Sequence, residues 1–414
     1  MKKKIQFSLV YRDMWQSSGK FQPRKDQLER VAPAIIDMGC FSRVETNGGA
    51  FEQVNLLAGE NPNEAVRAFC KPFNEVGIKT HMLDRGLNAL RMYPVPDDVR
   101  RLMYKVKHAQ GVDIPRIFCG LNDVRNIIPS IKWALEAGMT PQATLCITTS
   151  PIHTVEYYSN IADQVIAAGA TEICLKDMAG IGQPAMLGKL TKAIKDKHPD
   201  VIIQYHGHSG PGLSMASILE VCNNGADVID TAIEPLSWGK VHPDIISVQS
   251  MLKNEGFEVA DIDMNAYMRA RTLTQEFIDD WLGYFINPGN KHMSSLLLGC
   301  GLPGGMMGSM MADLARNTPF NQLYTEEQGT AGTHNRRDAG ETVRRSGICM
   351  AARRLSTTRN SVLTICQEHR TAQPAHHGTG QGPLRNDGRL YVGNDSRQER
   401  KDTWNNRPGA RRAG

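Results

Sequence analysis

Two histidines separated by one residue follow an apolar run in the segment QYHGHSGPG, residues 204–212. On a β-strand, residues i and i+2 point to the same face, so we expect the imidazoles of His206 and His208 to share one space. Imidazole is the commonest protein ligand for transition metals, but an isolated pair of this kind is often only hydrogen-bonded. A metal site therefore requires further ligands from elsewhere in the chain.

Other groups able to do chemistry stand at the ends of other predicted strands. Asp13, in YRDMWQSS, follows the first strand and adds a carboxylate to the two imidazoles. One carboxylate and two imidazoles supply three of four ligands in a mixed hard and borderline set, which suits Zn, Mn or Co. The remaining polar side chains at strand ends are Arg12, Gln16, Glu45, Asn47, Arg85, Lys176 and Asp177.

Lys176, in CLKDMAG, is the unusual member because an ammonium group would repel a metal cation. Two roles are compatible with the site. The amine could act as a base with a lowered pKa, or it could react with CO2 to form an anionic carbamate that ligates the metal. A salt bridge to Asp177 is the structural alternative, but consecutive strand residues point to opposite faces.

The segments between these groups predict the elements that hold them. Short β-rich runs alternate with amphipathic stretches, several of which end in glycine, the common residue after a helix. The predicted strands are residues 5–13, 42–47, 78–85, 114–121, 143–149, 172–178, 201–208 and 227–233. Strands and helices that alternate at this spacing indicate a parallel sheet, and eight such units match a (β/α)8 TIM barrel.

A doubly wound open sheet is the competing architecture. Such a sheet usually carries a glycine-rich phosphate loop after its first strand, where this chain reads YRDMWQSS. The barrel is therefore favoured, and in a barrel the active site lies at the carboxyl ends of the strands.

The chain is predicted to have three parts: the barrel at residues 1–255, a helical extension at 256–328 and a basic tail at 329–414. Residues 317–414 hold 16 basic against 9 acidic residues, whereas the rest of the chain holds 32 against 34. The tail is interpreted as disordered. The alternative is a frame shift, because residues 330–351 can be back-translated with a one-base offset into an amphipathic helix. The basic excess is confined to the tail, so no nucleic-acid partner is expected.

Cysteine usage and the amino terminus predict a cytoplasmic protein. Nine cysteines without CxxC pairs fit reduced thiols better than a disulfide framework or a structural zinc site. The apolar run after the basic start MKKK breaks at Arg12, too early for a signal peptide or a membrane span.

Six motifs resemble one enzyme family and occur in the family's order. YRDMWQSS, VETNGGAF, MLDRGLNAL, CLKDMAG, YHGHSG and PGGM resemble the carboxyltransferase component of biotin-dependent enzymes. That group includes the oxaloacetate decarboxylase α subunit, the carboxyltransferase domain of pyruvate carboxylase and the transcarboxylase 5S subunit. The resemblance runs from about residue 3 to residue 316. KDMAG discriminates, since acyl-CoA synthases and lyases of related barrels share RDxxQ and HxH without this lysine.

The resemblance implies a reaction and a role for each matched residue. The reaction would be carboxyl transfer between carboxybiotin and pyruvate or oxaloacetate through a metal-stabilised enolate. The implied metal ligands are Asp13, His206, His208 and carbamylated Lys176, and the implied keto-acid ligands are Arg12, Gln16 and Arg85. A side-chain hydroxyl shuttles the proton in this family, usually from a threonine at the position of Gly308 here. Ser309, the next residue, is the candidate for that role.

The resemblance also implies partners. No MKM biotinylation sequence occurs in the chain, so the biotin would be carried by a separate biotin carboxyl carrier protein, or the carrier is lost beyond the disordered tail. Biotin carboxylase or membrane decarboxylase subunits would complete the assembly, and relatives suggest a homodimer. Two alternatives stay open. An acyl-CoA synthase or lyase on the same barrel would have a lysine-independent metal site and need no biotin, and a non-catalytic assembly subunit would bind metal without turnover.

Overall fold

Eight parallel strands, hydrogen-bonded to one another in chain order, close into a barrel. The computed structural model describes residues 2–19, 21–91 and 93–299. The strands are β1 Gln6–Leu9, β2 Phe41–Gly48, β3 Lys79–Asp84, β4 Ile114–Ile117, β5 Gln142–Cys146, β6 Glu172–Asp177, β7 Ile202–Gly207 and β8 Val228–Thr231. Because β1 pairs with both β2 and β8, the sheet has no open edge. The predicted (β/α)8 TIM barrel is confirmed.

Every strand is followed by at least one α-helix, as a parallel barrel requires. The helices are α1 Tyr11–Gly19, α2 Lys25–Asp37, α3 Gly49–Leu57, α4 Pro62–Glu75, α5 Asp97–Ala109, α6 Val124–Glu136, α7 Val155–Ala167, α8 Pro184–Lys197, α9 Ser214–Asn223, α10 Ile245–Asn254 and α11 Met264–Asp280. Short 3-10 helices occur at Gly86–Asn88, Leu282–Phe285, Pro288–Lys291 and Ser295–Gly299. None of the helices in the described ranges is both long and apolar enough to span a membrane.

Local sequence explains where several helices begin. Asp123, Thr154, Asp244 and Asp263 each accept a hydrogen bond from a backbone N–H of the first turn. Such side chains satisfy donors that have no partner inside the helix. One face of each long helix then packs against the barrel, and these apolar side chains join the strands in one buried cluster.

The first predicted strand is too long at its carboxyl end. Residues 5–13 were expected to be extended, but β1 ends at Leu9 and α1 begins at Tyr11. The ladder with β8 ends at the pair of Leu9 and Thr231, and the N–H of Met14 already donates to the carbonyl of Val10, 2.9 Å away. Asp13 therefore lies in the first turn of a helix, where the positive end of the helix dipole favours a carboxylate.

Two other strands end three or four residues earlier than predicted. The fourth ends at Ile117 instead of residue 121 and the fifth at Cys146 instead of residue 149. Only two residue pairs join β4 to β5, so little backbone pairing holds these strands extended further toward the mouth. The segments beyond them are loops that reach the same end of the barrel as the predicted site.

Charged side chains fill much of the barrel interior, where apolar residues are the usual filling. Arg43 forms a buried ion pair with Glu172, with Nη1 and Oε2 2.6 Å apart. Further along the barrel axis, Nη1 of Arg116 lies 2.6 Å from Oδ2 of Asp230. Gln142 links the two pairs, because it donates to Glu172 and accepts from Arg116. A continuous hydrogen-bonded network therefore runs through the barrel.

Candidate active site

Asp13 and the two histidines of the HxH motif come together at one mouth of the barrel. Nε2 of His206 lies 3.3 Å and Nε2 of His208 lies 3.1 Å from Oδ2 of Asp13. All three side chains are buried, and Oδ2 has no hydrogen-bond partner of good geometry within the described part of the chain. Burial alone would raise the pKa of Asp13, but the charge of Arg12 holds it well below its usual value.

The groups that contact Nδ1 orient the rings of both motif histidines. Nδ1 of His206 lies 2.6 Å from Oδ2 of Asp230, and Nδ1 of His208 lies 2.6 Å from the carbonyl oxygen of Lys240. An acceptor at this distance favours a proton on Nδ1 in each ring, and the Nε2 lone pairs are then directed toward Asp13. For His206 the nearer neighbour of Nδ1 is Asp230, since Nη1 of Arg116 lies 2.9 Å away. Such outer partners orient metal-binding imidazoles and raise their basicity. Burial, then the charge of Lys176, lowers the pKa of His206 and favours its neutral form.

A third histidine, His242, joins the cluster and was not predicted. It lies in the loop between β8 and α10 and is fully buried. Its ring centroid is 4.2 Å from that of His206 and 4.2 Å from that of His208. One possible ligand atom from each of the three histidines and Asp13 lies within 4.8 Å of the other three atoms. Burial, then the two neighbouring histidines, holds the pKa of His242 well below its usual value.

Lys176 ends in the same cluster. Its Nζ is 2.9 Å from Nε2 of His206, and the side chain is buried. Burial lowers the pKa of Lys176, and Arg116 lowers it further, although the charge of Asp13 opposes both. Asp177 points to the opposite face, where it accepts the backbone N–H groups of Ile181 and Gly182 at 3.0 and 2.8 Å. The alternative of a Lys176–Asp177 salt bridge is therefore wrong.

Arg12 and Gln16, one turn apart on α1, are hydrogen-bonded to each other. Arg12 donates to Oε1 of Gln16, and its Nη2 lies 2.7 Å from Oε1 of Glu45 on β2. The amide nitrogen of Gln16 has no hydrogen-bond partner among the described residues, so it is available to donate. Glu45 thus positions the guanidinium of Arg12 at the mouth.

Arg85 follows β3 and is half-buried beside the same mouth. Its Nη1 makes a long hydrogen bond of 3.3 Å to the carbonyl oxygen of Arg91. Burial, followed by the nearby charge of Arg12, lowers the pKa of Arg85. Two guanidinium groups that feel each other's charge are a favourable site for an anion. Asn47, near the end of β2, instead donates to Glu52 in the first turn of α3 at 3.0 Å.

Glycine lets the KDMAG and HSG loops pack backbone against backbone. Gly180 has a φ of +67°, and a Cβ there would overlap the carbonyl oxygen of His208. This close approach also allows a backbone hydrogen bond, from the N–H of His208 to the carbonyl oxygen of Asp177, 3.1 Å away. The loop that follows Lys176 is therefore fixed against the loop that carries His208. Ser309 and the PGGM motif lie outside the described residues.

Comparison with known proteins finds relatives of this chain. The HMGL-like family model matches residues 122–239. The B-type subunit of pyruvate carboxylase from Methanothermobacter thermautotrophicus is 29% identical over 313 residues, which are 76% of this chain and 54% of that protein. The methylmalonyl-CoA carboxyltransferase 5S subunit of Propionibacterium freudenreichii subsp. shermanii is 32% identical over 308 residues, 74% of this chain and 60% of that protein. The chain is a homologue of these proteins. The family resemblance inferred from the six motifs is confirmed.

A solved structure of a related carboxyl transferase domain has the same fold. The carboxyl transferase domain of Rhizobium etli pyruvate carboxylase, with pyruvate and biocytin, superposes with a TM-score of 0.69 at 25% identity. The match covers 78% of this chain and 55% of that one. The chain thus spans between half and two thirds of the length of the relatives that it matches.

Proposed function

We propose that the protein is a metal-dependent carboxyltransferase that moves a carboxyl group between carboxybiotin and pyruvate or oxaloacetate. Its type would be that of an oxaloacetate decarboxylase or of the B-type subunit of pyruvate carboxylase. The observation that carries this proposal is the convergence of Asp13, His206 and His208 with Lys176 and a pair of arginines at one barrel mouth.

The residues fit a divalent cation. Oδ2 of Asp13 is buried and lacks a hydrogen-bond partner among the described residues, and two imidazole lone pairs face it. A buried carboxylate oxygen without a partner is costly, and a cation would supply the missing interaction. One carboxylate with imidazoles suits Zn, Mn or Co. When bound, the metal would act as a Lewis acid toward an oxygen that gains negative charge.

The position of the Lys176 amine supports its conversion to a carbamate. Its amine sits 2.9 Å from a lone pair that a cation would need, so an ammonium there competes with the metal. The lowered pKa favours the neutral amine, which is the form that reacts with CO2. In that step a bond forms between nitrogen and carbon, one N–H proton is released, and the product is an anionic carbamate. Carbamylated Lys176 would then be a further metal ligand.

The substrate would be held by Arg12, Gln16 and Arg85. A keto acid brings a carboxylate, which matches the planar fork of an arginine and relieves the repulsion between the two guanidinium groups. Loss of the carboxyl group from oxaloacetate, or of a methyl proton from pyruvate, leaves an enolate whose oxygen carries negative charge. Arg12 and Gln16 can donate hydrogen bonds to this oxygen, and a single such donor is worth about 10²–10³ in turnover.

The remaining parts of the proposal concern groups outside the described residues. Biotin would supply the ureido nitrogen that gives or takes the carboxyl group, and Ser309 would supply the hydroxyl that returns a proton. The partners would be a biotin carboxyl carrier protein with a biotin carboxylase or with membrane decarboxylase subunits. A cytoplasmic homodimer is the proposed form of the protein itself.

Oxaloacetate decarboxylation with free biotin tests the proposal. After subtraction of the rate due to metal alone, the full chain should show biotin-stimulated, avidin-inhibited turnover. Lys176→Ala should lose at least about 10²-fold of that rate, the range for losing one electrostatic group in an active site. Lys192→Ala, at an exposed lysine of α8, should retain it and is the matched control. Turnover without any response to biotin or avidin would contradict the proposal.

One observation favours the acyl-CoA synthase or lyase as a second candidate. Asp13 and three histidines form a cluster that does not need the lysine, which is what that alternative predicts. The same assay distinguishes the two functions. An acyl-CoA synthase or lyase would act on an acyl-CoA without biotin, and its activity would not depend on the amine of Lys176.

A further inference from the structure

His242 is a polar side chain buried without a hydrogen-bond partner among the described residues. Neither ring nitrogen makes a hydrogen bond to any group in the described ranges, and the residue is 0% exposed. Burial of a hydrogen-bonding group without a partner is unfavourable, because the group loses its bonds to water and gains none in return. A buried histidine that serves only in packing normally has at least one hydrogen-bond partner. His208 is an example, since its Nδ1 contacts the carbonyl oxygen of Lys240.

The ring of His242 instead faces the metal-binding groups. Nδ1 of His242 lies 4.0 Å from Oδ2 of Asp13, and the ring lies against both motif histidines. Oδ2 of Asp13 is the other orphaned atom of this cluster. Ligands at about 2.0–2.2 Å from a tetrahedral zinc are about 3.4 Å apart, so a bound cation would draw these four groups together by small shifts.

We infer that His242 is a metal ligand and that Asp13, His206, His208 and His242 hold the cation before Lys176 is modified. This inference rests on the proposed metal site and extends it. Four protein ligands complete a tetrahedral set. The carbamate of Lys176 would then add a fifth ligand to a site already formed, as zinc sites allow when they expand their coordination. Metal binding would therefore not require CO2.

Cobalt binding to the full chain tests this inference without measuring turnover. The chain is stripped with a chelator and titrated with Co²⁺ in CO2-free buffer, and bound Co²⁺ is followed by its visible absorption. His242→Phe keeps a buried ring but removes both nitrogens. We expect it to weaken Co²⁺ binding by at least about 10–100-fold, the loss that follows removal of even an outer-sphere partner. Lys176→Ala should bind Co²⁺ in this buffer at least as tightly as the unaltered chain, because it removes the amine that competes for the lone pair of His206.

The thermal midpoint of the metal-free protein separates a ligand from a packing residue. As a ligand, His242 is unsatisfied without metal, so metal-free His242→Phe should be at least as stable as the unaltered chain. X-ray absorption on the unaltered, cobalt-loaded chain should count three imidazoles around the metal, which holds even if the variant fails to fold. Unchanged Co²⁺ affinity in His242→Phe, or two imidazoles in the unaltered chain, would overturn the inference alone. Absence of Co²⁺ binding by the unaltered chain would overturn the proposed metal site as well.

Discussion

Asp230→Asn should weaken metal binding although this residue does not reach the metal. Asp230 accepts hydrogen bonds from Nδ1 of His206 and from Nη1 of Arg116, and the donor and acceptor atoms are 2.6 Å apart in both. The substitution keeps the shape of the side chain but removes the charge that fixes the His206 tautomer. Loss of such an outer partner typically costs 10–100-fold in metal affinity, which is about 1.4–2.7 kcal/mol. Titration with Zn²⁺ against a competing chelator measures this change.

The same substitution should also destabilise the fold, and a second pair separates the two effects. Removal of one partner of a buried ion pair costs about 3–5 kcal/mol. Glu172→Gln breaks the pair with Arg43 deeper in the barrel, where neither residue contacts the histidines. We expect both variants to unfold at lower urea concentration, but only Asp230→Asn should lose metal affinity. Equal metal affinity in the two variants would refute the assignment of Asp230 as the residue that positions His206.

Three further predictions follow from the packing and charge of the mouth. Gly180→Ala should lower the free energy of unfolding in urea by more than Gly256→Ala. Both glycines have positive φ, +67° and +84°, and a left-handed backbone alone costs an alanine about 1–2 kcal/mol. Only at Gly180 would the added Cβ also overlap a backbone carbonyl oxygen. Burial raises the pKa of Asp84 to about 6, above the unfolded value of about 3.9, so the folded state binds an extra proton between these values. Stability relative to Asp84→Asn should therefore fall as pH rises through this window, as urea unfolding at several pH values would measure. Arg85→Lys should weaken pyruvate binding in calorimetry by about tenfold or more, and Arg67→Lys, at an exposed arginine, should not.

Each of these three predictions would be contradicted by one specific result. Equal losses of stability in the two glycine variants would mean that the loops do not pack as described. A stability difference between the chain and Asp84→Asn that is constant with pH would show that burial does not perturb this carboxyl. Pyruvate binding that Arg85→Lys leaves unchanged would remove Arg85 from the substrate site.

The barrel and much of the mouth were predictable because they depend on local patterns. Alternation of apolar strands with amphipathic helices determines a parallel barrel, and a barrel brings the carboxyl ends of its strands together. The side chains of Asp13, His206 and Lys176 are therefore close in space although they are far apart in sequence. The extension of β1 to residue 13 was wrong because apolar residues continue past Leu9 into the first turn of α1.

His242 and the interior network were not predictable in the same way. His242 lies in a loop eleven residues beyond Thr231, and no spacing rule fixes where such a loop returns a side chain to the mouth. Arg116 and Asp230 did leave a signal, since each is a single charged residue inside a short apolar strand. That signal indicates a buried partner but not which one, because the partner is set by the register of strands distant in sequence.

Anomalous diffraction from crystals of the cobalt-loaded protein tests the metal site most directly. We predict one strong peak at the barrel mouth, about 2.0–2.2 Å from Oδ2 of Asp13 and from Nε2 of His206 and His208. Density for these side chains pointing away from one another, with no anomalous peak between them, would contradict the proposed metal site and the chemistry that depends on it.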